Sequence, residues 1–173
     1  MNTKFKKPVL GFAAYSGTGK TTLLVKLLPL LKNAGLRVGM IKHAHHDFDI
    51  DIPGKDSYEL RKAGADQVLI ASKHRRALMT ETSADDEPVL EDLVNSLNLE
   101  KVDLVIVEGY RHLHFPKIEL YRPSLGKELI YPKDINVIAV ASDEKVETTG
   151  LPLLRLGDPK EISRFILDWM RPL

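Results

Sequence analysis

An α/β fold, with a mostly parallel sheet flanked by helices, is what the sequence predicts, and three observations predict it. Short apolar runs such as residues 102–107 alternate with longer stretches of helical periodicity. Those runs lack the polar alternation of a half-solvated sheet, as strands buried on both faces do. A glycine-rich segment, Ser16-Gly17-Thr18-Gly19-Lys20-Thr21, joins the first run to the first helical stretch, which is where a strand–loop–helix unit places a ligand.

The elements follow in order. Residues 8–14 (PVLGFAA) form the first expected strand. A helix over 20–34 comes next, with Leu23, Leu24, Leu27, Leu28 and Leu31 on one stripe and Gly35 as its stop. Pro29 lies inside it and should remove a hydrogen bond and bend it. Residues 37–42 (RVGMIK) read as the second strand, and 43–54 as a polar segment carrying Asp47, Asp49 and Asp51. A helix is expected over 56–64, with Asp56 or Ser57 near its cap. Strands at 67–71 and 77–82 should flank the basic turn Lys73-His74-Arg75-Arg76, and an acid-led amphipathic helix should span 86–97. The strongest strand signal is 102–107, where five of six residues are apolar. Further strands are expected at 117–121 and 136–141, and a last helix near 159–170 opens on a proline. No repeat, low-complexity tract or linker breaks this order, so a single domain is expected over residues 1–173.

Composition narrows the function classes. Lys and Arg number 25 against 24 for Asp and Glu, a formal net charge of +1. Bulk electrostatics therefore gives no reason to expect a nucleic acid or an anionic membrane as partner. The absence of cysteine rules out disulfides and thiolate metal sites and fits a reducing cytosol. The basic N-terminus is followed by too short an apolar stretch for a signal peptide. No apolar run reaches the roughly 18 residues a membrane span needs. A cytoplasmic protein is expected.

Residues 14–21 read Ala-Tyr-Ser-Gly-Thr-Gly-Lys-Thr, the phosphate-loop pattern G-x-x-x-x-G-K-[ST] with Ala14 in place of the first glycine. A triphosphate needs several N–H donors pointing inward, and a loop wrapped on a helix N-terminus supplies them together with the helix dipole. Ser16, Gly17, Thr18 and Gly19 form that loop, and its glycines permit backbone angles and approaches a Cβ would block. Lys20 should reach the outer phosphates, the Thr21 hydroxyl should ligate magnesium, and Thr22 should touch the innermost phosphate. The fold expected is thus of the phosphate-loop NTPase type.

Two further sets of residues carry chemistry. Glu108 ends the run 102–107, and ligands of open parallel sheets sit beyond the carboxyl ends of the strands. A carboxylate there can hold magnesium, directly or through water. His43, His45 and His46 cluster after the second strand, with Asp47 and Asp49 close behind. Three readings of that segment stay open: a solvated loop, a switch that senses the third phosphate, and a transition-metal site.

These motifs occur together in an order that resembles a known family. Residues 16–22, the run Lys42-His43-Ala44-His45-His46, Pro53-Gly54-Lys55-Asp56-Ser57 with Ala63-Gly64-Ala65, and Val107-Glu108-Gly109-Tyr110 resemble the MobB-type adapters of molybdopterin-guanine dinucleotide biosynthesis. The likeness covers about residues 9 to 141. It implies GTP binding with weak hydrolysis, a homodimer, and a helper role beside the molybdopterin guanylyltransferase and the molybdenum-insertion protein. Position by position it makes Lys20 and Thr21 the phosphate and magnesium contacts and Glu108 the strand-end acid. The segment 42–49, with Asp49 as a nucleotide contact, becomes a switch-like loop. The guanine signature Asn-Lys-x-Asp is absent, and the nearest segment after a late strand is Ser142-Asp143-Glu144-Lys145. Asp143 is the candidate acceptor for the guanine N1 and N2 groups. The competing functions are a phosphate-loop kinase or ligase acting on a small metabolite, and a metallochaperone GTPase built on the histidine cluster. No catalytic residue is assigned.

Overall fold

A computed structural model describes residues 5–44, 48–82 and 87–171, which fall into two compact units, 1–43 with 89–173, and 44–88. The larger unit is built on a six-stranded parallel sheet. Its strands are β1 (Val9–Ala14), β2 (Val38–Lys42), β5 (Leu104–Glu108), β6 (Lys117–Tyr121), β7 (Val137–Ser142) and β8 (Leu153–Arg155), in the spatial order β2-β5-β1-β6-β7-β8. Among the described residues three α-helices belong to this unit: α1 (Lys20–Asn33), α3 (Leu90–Ser96) and α4 (Pro159–Met170).

The apolar runs are continuous because both faces of the sheet are covered. Leu10, Phe12, Leu104 and Ile106 pack with Leu23, Leu27 and Leu31 of α1 and Ile162 and Ile166 of α4. The alternate residues Val9, Val105 and Val107 point the other way, into a second core with Leu90 and Val94 of α3. This is the two-residue period of a strand, with an apolar partner waiting on each side.

Beyond β1 the same face of β6 carries charge. Lys117 is 1% exposed and Glu119 0%, and both are fully engaged. The Lys117 ammonium donates to the Leu113 carbonyl and to Asp134, 2.9 Å away. Glu119 accepts the backbone amides of Ile130 and Tyr131 at 2.7 and 2.8 Å. Burial raises the Glu119 pKa, and those two amides oppose the rise. A buried charge survives only where such partners exist, so the pair anchors the connection between β6 and β7.

The smaller unit holds α2 (Asp56–Lys62) and an antiparallel hairpin, β3 (Gln67–Ala71) with β4 (Arg76–Thr80). Arg61 ties it together, reaching Asp49 at 2.6 Å and Glu81 at 2.8 Å. It has little core of its own: no residue of α2 is buried, and Leu69 and Leu78, cross-strand partners, are 61% and 58% exposed.

Several sequence expectations shift. The 86–97 helix begins only at Leu90, because Pro88 disfavours helical geometry before it and Val89 is extended; Asp86 lies outside the described residues. Asp56 stands beside the cap of α2 as its first residue, as expected. Lys55 holds the cap position without a side-chain bond, and the Ser57 hydroxyl donates to Asp51. The 102–107 run enters the sheet at Leu104, and Glu108 is the last residue of the strand. Pro29 leaves α1 a single helix; it lies on the exposed side, where Val25, the acceptor it cannot reach, is 65% exposed. The three-residue edge strand β8 was not expected at all.

Candidate functional site

β1 is the middle strand of the site, and the chain leaves it in both directions. α1 carries the chain to β2 on one side, while β6, β7 and β8 extend the sheet on the other. Such a reversal opens a crevice at the strands' carboxyl ends. The segment from Tyr15 to Gly19 occupies that place, between the end of β1 and the start of α1.

Local chemistry shapes the loop. Gly17 and Gly19 have φ of 84° and 93°, a left-handed region that side chains rarely enter. Thr18 is buried, and its hydroxyl donates to the Tyr15 carbonyl at 2.8 Å, closing the turn. The first intrahelical bond of α1 runs from the Leu23 amide to the Gly19 carbonyl. The amides of Lys20, Thr21 and Thr22 therefore remain available, as at every helix start. No acidic residue lies in the first turn, so the positive end of the helix dipole is left for an outside anion. Ser16, Thr21 and Thr22 are exposed.

Lys20 lies 3.5 Å from the Glu108 carboxylate at the end of β5, the strand next to β1. The structure thus brings the loop lysine and the strand-end acid together. Behind Glu108 the backbone turns sharply. Gly109 has φ 107°, and a Cβ there would stand 2.5 Å from the Cβ of His43. Tyr110 follows with φ 52°, unusual for a bulky residue, and stacks on the His43 ring at 4.6 Å. His43 also donates its amide to the Glu108 carbonyl at 2.8 Å. The ends of β2 and β5 are fixed together here.

The structure places the remaining candidates as follows. Asp143 follows β7, and its carboxylate pairs with Arg122, which also donates from Nε to the Thr18 carbonyl at 2.8 Å. Asp49 belongs to the smaller unit, where it accepts from Arg61 and from the Asp51 amide at 3.0 Å. The Arg61 bond, with that amide, lowers the Asp49 pKa. His45, His46 and Asp47 lie outside the described residues. Among the described residues no group of three or more potential ligands forms a metal site.

Arg122 is the site residue that sequence reasoning missed. Arg111 is another cation at the loop, 5.8 Å from the Tyr15 ring. Ala14 is in register with Leu120, so a residue two places on emerges beside the loop. That inference needs the strand order, and no local pattern reveals that β6 crosses over to lie beside β1.

The loop at the end of a central parallel strand, the helix start behind it and the acid on the neighbouring strand define a protein of the phosphate-loop NTPase class. The family model described as "Molybdopterin guanine dinucleotide synthesis protein B" (MobB) matches residues 9–143. The chain is 50% identical over 167 residues to the molybdopterin-guanine dinucleotide biosynthesis adapter protein of Escherichia coli, covering 95% of this chain and 94% of that one. Its identity to the adapter of the same name from Haemophilus influenzae is 42%, covering 94% and 89%. A crystal structure of a molybdopterin-guanine biosynthesis protein B superposes with a TM-score of 0.74 at 28% identity, covering 95% and 99% of the two chains. The chain belongs to the MobB family.

Proposed function

We propose that this protein binds GTP with magnesium and acts as an adapter in the synthesis of molybdopterin guanine dinucleotide, hydrolysing GTP slowly. The observation that carries the reading is the loop at the end of β1, with Lys20 facing Glu108. Lys20 leaves Glu108 for the outer phosphates when nucleotide enters. The Glu108 carboxylate, directly or through water, and the Thr21 hydroxyl would hold magnesium, which would supply a positive charge to offset that of the phosphates. Their chemistry fits, since a hard cation takes oxygen ligands and both groups are oxygens at the crevice. Asp143 accepts from the guanine N1 and N2 groups through the oxygen that Arg122 does not hold. Asp49 belongs to a switch segment whose arrangement follows the nucleotide state. The partners are the guanylyltransferase and the molybdenum-insertion protein, the assembly is a homodimer, and the compartment is the cytoplasm. Among the described residues no helix is long and apolar enough to cross a membrane.

The test is nucleotide titration of the parent and Lys20→Ala, with and without magnesium, followed by calorimetry against the two partner proteins. GTP is expected to bind better than ATP. Lys20→Ala should lose a few kcal/mol of triphosphate affinity while the fold survives. Turnover should lie on the order of 10⁻² to 10⁻⁴ per second without a supplied arginine. Affinity within about threefold of the parent in Lys20→Ala would refute the loop assignment. Phosphate transfer to a small metabolite, with no partner bound in any nucleotide state, would replace the adapter by a kinase.

A further inference from the structure

Arg122 stands between the two halves of the site. Its Nε donates to the Thr18 carbonyl at 2.8 Å and one terminal nitrogen pairs with Asp143. Its other terminal nitrogen, Nη2, lies 3.5 Å from where a Cβ on Gly19 would be. Thr18 is consequently locked twice, its hydroxyl on Tyr15 and its carbonyl on Arg122. In a trans peptide the C=O and the following N–H point in opposite directions. Fixing the Thr18 carbonyl on Arg122 therefore holds the Gly19 amide pointing away from that guanidinium. Gly19, with φ 93°, is conformationally free by nature, and this bond supplies the restraint that the residue lacks.

The other side of the guanidinium does a second task. Arg122 holds one oxygen of the Asp143 carboxylate, Oδ2, and so fixes the direction of the other. A guanidinium is a planar fork whose donors keep fixed relative angles, which an ammonium cannot imitate. We propose that Arg122 is the positioning residue that couples the phosphate end of the site to the base end, setting the Gly19 amide through Thr18 and orienting Asp143 with the same rigid group. The base half of this proposal rests on the reading of Asp143 as the guanine acceptor; the loop half does not.

The test uses the full chain with Arg122→Ala, Arg122→Lys, Asp143→Ala and the double variant Arg122→Ala/Asp143→Ala. Three probes are titrated with magnesium: GTP, ATP and inorganic tripolyphosphate, which has no base. Arg122→Ala should weaken tripolyphosphate about tenfold, the scale of one hydrogen bond within a charged network. Arg122→Lys should restore little of it, although it keeps the charge. The preference for GTP over ATP should fall in Arg122→Ala to the level of Asp143→Ala, and the double variant should fall no further. A merely structural role would lower all three ligands equally, leave that preference intact and also lower the denaturation midpoint of the nucleotide-free protein, which loss of loop positioning alone would not. Circular dichroism checks the fold of each variant, and Arg122→Lys decides if Arg122→Ala does not fold. Tripolyphosphate affinity within about twofold of the parent in both variants would overturn the loop half. Preference lost in Asp143→Ala but kept in Arg122→Ala would overturn the base half alone. A parent without preference for GTP would remove the guanine reading and the base half with it, leaving tripolyphosphate to decide the loop half.

Discussion

Arg37 and Asp103 meet through two nitrogens and two oxygens, at 2.9 and 2.6 Å, and a third Arg37 nitrogen reaches the Glu100 carbonyl. The pair fastens the entrance of β2 to that of β5. The Arg37 hydrogen bonds hold the Asp103 carboxyl well below the usual carboxylate range. A carboxyl whose folded pKa is depressed contributes stability above its unfolded pKa of about 3.9 and loses it as pH falls toward the folded value. Asp103→Asn should therefore destabilise the protein at pH 7, and its gap from the parent should narrow near pH 3. Chemical denaturation at both pH values measures this, and a gap that stays constant or widens toward acid removes the linkage. Residues of this kind divide by how local their cause is. The loop of Gly17, Gly19 and Lys20 was legible because its spacing alone states its chemistry. Arg122 and the buried residues Lys117 and Glu119 were not, since the side-chain partner of Lys117 lies 17 positions away, the amides on Glu119 begin 11 away, and the carbonyl on Arg122 is 104 away.

At the scale of elements, α4 shows what a sequence can state in full. Pro159 fills the first turn, and the Asp158 side chain accepts from the amides of Lys160 and Glu161 at 3.1 and 3.2 Å. Arg155 braces the same carboxylate at 2.9 Å. Asp158→Ala should cost about 1 kcal/mol, the usual loss of a helix cap, measured by the denaturation midpoint. A change below about 0.3 kcal/mol would show that water replaces the cap without loss. The signals here are local, and the helix ends were read correctly. By contrast β8 is three residues long behind Pro152. It is held in the sheet by pairing with β7 and by no periodicity of its own. The start of α3 failed for a related reason: the acidic lead 86–89 has a helical composition, but Pro88 overrides it.

The whole molecule has to account for the smaller unit. A two-stranded hairpin is at best marginally stable by itself, and the outward face of this one presents Leu69 and Leu78 to solvent. Two apolar side chains paired across the strands give a partner surface something to bury, and the homodimer proposed above gives this face an occupant. Replacing both residues, Leu69→Lys with Leu78→Lys, is expected to convert dimer to monomer in light scattering. A parent that is already monomeric at micromolar concentration, or a variant that stays dimeric, would separate the hairpin from assembly.

The order of the strands has a consequence for how the chain comes into being. β1 and β2 are both made before β5, yet they are not neighbours; β5 lies between them and pairs with both. A ribosome adding 5 to 20 residues per second needs about 3 to 12 seconds to travel from the end of β2 at Lys42 to the start of β5 at Leu104. Throughout that interval the apolar edges of VLGFAA and VGMIK have no parallel partner to receive them. Parallel pairing across such a separation is slow even once the partner exists. The nascent chain thus carries VLGFAA without its β5 neighbour until that strand emerges, and the ligand loop at its end waits as long for the acid-bearing strand beside it.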